Sequence, residues 1–150
     1  MIKHLTEHFT VDELVRSEYA TRKGIDNTPT AEVLENLRLL AERLERVRDV
    51  LAVPIHITSG YRCPKLNSAI GGSSTSAHLK GMAVDFVAPA FGSPLEVCRE
   101  VVENWTLIEF DQIINEGQWV HLGITDGLPR HQVLTAHFNG GKATYTTGLA

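Results

Sequence analysis

The chain has little that would staple it together or anchor it. Two cysteines in 150 residues, Cys63 and Cys98, make neither a disulfide framework nor a CxxC metal pair, and they read as small apolar residues with free thiols. No run comes near the roughly 20 apolar residues that span a bilayer. Met1-Ile2-Lys3-His4 leads into polar residues without the apolar core of a signal peptide. The expectation is cytoplasmic synthesis, with release to the cell exterior, if it occurs, depending on some other agent. Basic residues are outnumbered, 14 Lys and Arg against 18 Asp and Glu, and the formal charge is -4. Such a balance offers no broad basic surface for nucleic acid or anionic lipid. Internal repeats, low-complexity tracts and linkers are absent as well.

What is there is ordinary globular composition, 43% hydrophobic and 21% charged. A chain of this size buries roughly 68–70% of its unfolded surface, enough for a core without staples. Residues 1–150 are expected to form one domain.

Helices come first. Thr10 and Glu13 have capping-box spacing, flanked by Phe9 and Leu14 at staple positions, and predict a helix of about two turns ending before Gly24. Thr28-Pro29 predicts a second start, with Thr28 as N-cap. Val33, Leu37, Leu40, Leu44, Val47 and Leu51 then recur in steps of four and three, one apolar stripe on a helix of about 22 residues. Glu32, Glu35, Arg38, Glu42, Arg43, Glu45 and Arg46 are expected on its solvated face. Residues 55–58 alternate like a strand, and the Gly-, Ser- and Pro-rich stretch 59–76 reads as an ordered loop. Residues 82–87 read as a buried strand interrupted by Asp85. Ser93, Pro94 and Glu96 open another helix, running to about Asn104. Strands are expected at 110–114, 118–122 and 133–138. Their immediate succession favours antiparallel pairing and an α+β class.

The chemistry is concentrated in two stretches. A carboxylate inside an apolar run needs a partner, because burying it unpaired is expensive. Asp85 is such a residue, His78 precedes it across the small residues Gly81 and Ala83, and His121 sits inside another apolar run. Two imidazoles and a carboxylate, with one position open to water, are a catalytic zinc donor set. Taken singly, each residue has a plainer reading: His78 as a loop histidine, Asp85 as a carboxylate held by backbone amides, His121 as a core histidine. His4, His8, His56, His131 and His137 lack this context and read as structural or surface residues.

Ser76-x-His78-x-x-Gly81-x-Ala83-x-Asp85, followed by Trp119-Val120-His121, resembles the zinc D-Ala-D-Ala carboxypeptidase family of metallopeptidases. Thr58-Ser59-Gly60-Tyr61-Arg62-Cys63-Pro64-Lys65-Leu66-Asn67 is similar to the stretch just upstream in that family, and the branch found in phages and prophages is the nearest in pattern. The resemblance implies a hedgehog/DD-peptidase-like α+β fold, a small antiparallel sheet with flanking helices. It implies Zn2+ held by His78, Asp85 and His121, and Arg62 binding substrate and the developing oxyanion. Ser76 either bonds within the site or turns the loop; Tyr61 and Asn67 shape the loop. The implied substrate is a peptidoglycan stem peptide or cross-link, and the implied role is that of a carboxypeptidase or an endolysin-type endopeptidase. Such a protein is released by a phage lysis system or carried in a virion. A non-catalytic phage structural or murein-binding protein that retains the fold is the alternative.

One departure matters. Many relatives carry a catalytic Glu three residues before the last histidine ligand, where this chain has Gln118, and an amide cannot take a proton from water. Glu116 is the nearest carboxylate. On one regular strand it would face away from His121, so it needs a bulge or turn at Gly117 to serve as the base. Asp111 and Glu109 are poorer candidates.

Overall fold

The computed structural model describes residues 3–150; Met1 and Ile2, at the start of the stretch read for a signal, lie outside the described residues. By its contacts the chain divides into two compact units, Met1–Glu45 with Ser59–Val84, and Arg46–Thr58 with Asp85–Ala150.

The first unit is built on helices. α1 (Val11–Val15) starts with the expected capping box between Thr10 and Glu13, and Phe9 and Leu14 are buried. The chain leaves helical geometry at Arg16, and α2 (Glu18–Lys23) begins on its own N-cap, Ser17, and ends at Gly24 in the left-handed region. One expected helix is thus two, because the Ser17 hydroxyl accepts the Ala20 amide and stabilises a fresh start. α3 (Ala31–Leu51) starts two residues later than expected. Thr28 does not cap it: Asp26 Oδ1 accepts both the Thr28 amide, at 3.0 Å, and its hydroxyl, at 2.6 Å. Thr30 takes over as cap, accepting the Val33 amide. Within this unit Leu37, Leu40 and Leu44 of the stripe are fully buried, each stabilising by about 1.5–3 kcal/mol. The other face is not wholly solvated. Arg43 is buried, and Glu45 accepts the His8 amide and meets His8 Nδ1 at 2.6 Å.

Residues 59–76 are not all loop. Cys63 and Pro64 repeat the cap-then-proline pattern and open α4 (Pro64–Ala69), with the Cys63 sulfur accepting the Leu66 amide. Ser76 caps a 3₁₀ helix, Ala77–Lys80, which ends at Gly81.

The second unit carries most of the sheet. Strands β1 (His56–Ser59), β2 (Ala83–Val87), β3 (Gln112–Asn115), β4 (Val120–Gly123), β5 (Gln132–Asn139) and β6 (Lys142–Thr147) lie in the order β1-β2-β4-β3-β5-β6. The class is α+β, as the sequence predicts. The succession of antiparallel neighbours is not: β3 pairs antiparallel with β4 but parallel with β5. Both edges of β4 are taken, by β2 and β3, so the chain leaving β4 passes to the far side of β3 before it can pair. β6, unforeseen in the sequence, turns back from β5 at Gly140-Gly141 and pairs with it antiparallel. α5 (Pro94–Glu103) has the expected Ser93–Glu96 capping box and buries Val97, Cys98 and Val101. It packs on β3 and β4, where Ile113, Val120 and Leu122 are buried. A short α6 (Trp105–Ile108) follows. Cys63 and Cys98 are both free and buried, and burial pushes the Cys98 thiol up to about 12.

Candidate metal centre

His78 sits in the 3₁₀ helix, its backbone amide accepted by Ser76 Oγ at 3.2 Å. The Ser76 hydroxyl therefore holds the turn that presents the imidazole. His78 Nδ1 meets the carbonyl oxygen of Gly60 at 2.8 Å. A carbonyl only accepts, so Nδ1 carries the proton and Nε2 is the ring atom with ligand character. The Gly60 carbonyl can reach this ring because the chain there presses against α1: a Cβ on Gly60 would lie 2.2 Å from the Leu14 carbonyl oxygen, and the Tyr61 amide donates to that same oxygen. Gly60→Ala is therefore expected to cost about 1–3 kcal/mol through overpacking and to loosen His78. A denaturant midpoint unchanged from the parent would contradict this.

Asp85 lies in the middle of β2, 8% exposed, and His121 is the second residue of β4. His121 Nδ1 faces Asp85 Oδ1 at 3.0 Å. One ligand atom from each of His78, Asp85 and His121 lies within 4.8 Å of the others, the spacing of donors converging on one ion. His78 and Asp85 belong to one continuous segment that turns at Gly81 and runs straight into β2, so a short stretch of chain sets the separation of these two candidate ligands.

Glu116 reaches the same face of the sheet by a route that strand periodicity alone conceals. β3 and β4 form a hairpin with Gly117-Gln118 as its two-residue loop, closed by the Glu116 amide donating to the Trp119 carbonyl at 3.0 Å. Gly117 has φ +88, a left-handed conformation that favours glycine at the first position of such a loop. The reversal places Glu116 across from Trp119, and Trp119 shares its face with His121 two residues on. Glu116 and Gln118 are thus not on one strand, and the expected turn at Gly117 is the hairpin itself. Glu116 is 9% exposed. Burial pushes its carboxyl above the usual range, the nearby His121 pulls it down, and the Asp85 charge pushes it up again, for a net rise. A raised carboxyl is a stronger base and suits proton transfer near neutral pH. Gln118 is exposed at the loop. The other two carboxylates are engaged elsewhere: Asp111 is bound by Arg130 at 2.8 Å and held below its usual range by that contact, and Glu109 pairs with Arg46 at 3.0 Å.

Arg62 lies beside the 3₁₀ helix. Its amide donates to the His78 carbonyl at 3.1 Å, and its Nη1 donates to Asn67 Oδ1 at 3.0 Å. Asn67, buried in α4, also donates to the Ser73 carbonyl, and so ties the guanidinium to the following loop. Asn27 is an organiser as well. Its Nδ2 donates to the carbonyls of Val15 and Tyr61 and its Oδ1 accepts the Cys63 amide, fixing the backbone on both sides of Arg62.

The remaining histidines lie outside this cluster. His8 pairs with Glu45, His131 packs edge-on against Trp105 and Phe110, and His137 meets Thr146 at 2.8 Å. Among the described residues no helix is long and apolar enough to cross a membrane.

No curated protein matches the chain. A protein-family model does match, described as Peptidase M15, over residues 7–123, a span that takes in α1, Arg62, all three ligand candidates and Glu116. With a match over most of its length and a His-Asp-His cluster where a metallopeptidase needs one, the chain belongs to the M15 peptidase family.

Proposed function

We propose that the protein is a zinc-dependent peptidase of bacterial peptidoglycan, cutting stem peptides or their cross-links as a D-Ala-D-Ala carboxypeptidase or an endolysin-type endopeptidase. In this reading it reaches the wall from a phage lysis system or a virion. The observation that carries the proposal is the convergence of His78, Asp85 and His121 within 4.8 Å, with Glu116 on the same sheet face as His121.

Two imidazole nitrogens and one carboxylate oxygen fit zinc, with a position left open. Bound there, zinc supplies Lewis-acid polarisation of a carbonyl and makes water acidic enough to attack near neutral pH. The chain's own residues supply the rest. Glu116 takes the proton of the attacking water on its carboxylate and hands it to the departing amine, so that acid and amine leave in balance. Arg62 offers a planar, permanently charged fork to the carbonyl oxygen or to a terminal carboxylate of the peptide. Ser76 and the Gly60 carbonyl keep the His78 ring in one orientation.

Mass-spectrometric product analysis on purified muropeptides, alongside metal content, tests the proposal and identifies the bond. Stoichiometric zinc with no product would favour a murein-binding protein that keeps the fold without the reaction. Arg62→Lys retains charge but loses the fork, so turnover is expected to fall by about tenfold or more while the fold stays intact, a loss of about 1.4 kcal/mol or more. Unchanged kinetics with unchanged melting would leave Arg62 a loop residue bonded to Asn67.

A further inference from the structure

The β5–β6 hairpin lies beyond the residues matched by the peptidase family, yet the strand register carries it onto the face of the metal centre. Ile114 stands opposite His121, Leu134 stands beside Ile114, and Thr147 faces Leu134. Side chains paired across strands share a face, and faces alternate along each strand. The His121 face therefore also carries Glu116, Trp119, Ala136, Phe138 and Tyr145. The rings of Trp119 and Phe138, with centroids 6.5 Å apart, show the two hairpins in contact on this face.

Tyr145 pairs with Ala136, and Ala136 continues the β5 row that runs beside the end of β3, where Glu116 stands. Ala136 has only a methyl group, yet it is 9% exposed, so larger neighbours lean over it. Tyr145 is half exposed and Glu116 almost closed off, and the register sets the phenol one strand beyond the carboxylate on the same face, across Ala136. Burial first, then the charges of Glu116 and Asp85, raise the Tyr145 hydroxyl's pKa, so it remains a donor at neutral pH.

We infer that Tyr145 is a substrate-binding residue whose hydroxyl donates a hydrogen bond to a backbone carbonyl of the peptide lying along the Glu116 side of the site. A backbone carbonyl is the fitting acceptor, because a phenol hydroxyl donates one hydrogen bond and a peptide presents a carbonyl at every residue. The inference rests on the peptidase reading and deepens it by naming one wall of the peptide site.

The test uses the full chain loaded with one equivalent of zinc and a synthetic stem pentapeptide ending in D-Ala-D-Ala. Tyr145→Phe removes only the hydroxyl, and KM is expected to rise by about 3- to 10-fold, the range of one neutral hydrogen bond, with kcat within about twofold. In the Glu116→Gln background the dissociation constant for the same pentapeptide should rise by the same factor, a reading that needs no turnover. Thr144→Val, on the opposite face of β6, should change neither. Unchanged KM and affinity in Tyr145→Phe, or a loss confined to kcat, would overturn the inference. A parent that binds the pentapeptide without cutting it, and releases no product from purified muropeptides either, would sink the peptidase reading while the affinity comparison still decides Tyr145. A parent that neither binds the pentapeptide nor cuts it or purified muropeptides would remove both.

Discussion

Glu116→Gln is expected to lower hydrolysis of muropeptides by about 10² to 10⁴ while zinc stays bound, since removing a general base typically costs that much. The substitution is nearly isosteric, and the hairpin that places the side chain is made by backbone bonds and by Gly117, which it does not touch. The same variant carries a second, opposite signature in the metal-free protein. A carboxyl raised in the folded state binds its proton more tightly there than in the unfolded chain. Its contribution to stability is thus present at acid pH and lost as pH rises from the usual carboxylate range through the raised value. Glutamine has no such dependence. Metal-free Glu116→Gln should therefore gain in stability relative to the parent between acid and neutral pH, a direction read from melting at the two pH values. Gln118→Ala, at the exposed loop, should be mild in both tests. A Glu116→Gln protein that cut at the parent rate would end the assignment of the base.

His78→Ala and Asp85→Ala are each expected to abolish stoichiometric zinc binding and, with it, activity to background. The three donors lie within 4.8 Å, and removing one leaves two, too few for the three protein ligands of a catalytic zinc site. In the parent, zinc at a thousandfold excess over its dissociation constant stabilises the fold by about 4 kcal/mol, so chelation should lower the melting temperature of the parent and leave the variants unmoved. Binding should also weaken in acid, because both imidazoles must be neutral to coordinate. Metal analysis of each variant beside the parent checks the claim, and stoichiometric zinc surviving both substitutions would remove the site.

How much of this was legible in the residues follows from how local each cause is. Capping boxes and apolar periodicity act within a turn or two of helix, so α5, the length of α3 and the buried strand around Asp85 could be read directly. The His-Asp-His cluster was legible as a motif for the same reason: His78 and Asp85 are joined by a short turn, and His121 stands beside Trp119 in a recognisable element. Local competition was harder. Whether Thr28 or Thr30 caps α3 depended on Asp26 capturing Thr28, and whether α1 and α2 were one helix depended on the Ser17 hydroxyl.

By itself, then, the sequence determined the α+β class, the candidate donor set and the family resemblance, because side-chain chemistry and short-range spacing are written in consecutive residues. Only the tertiary structure decided the rest. The β3–β4 hairpin brings Glu116 to the His121 face, although counting along one strand would point it away. β5 lies beside β3 because both edges of β4 are occupied, and β6, paired with β5, carries Tyr145 to the same face. A side chain's face depends on which strands pair and in what register, and hydrogen bonds between segments distant in the chain set that pairing.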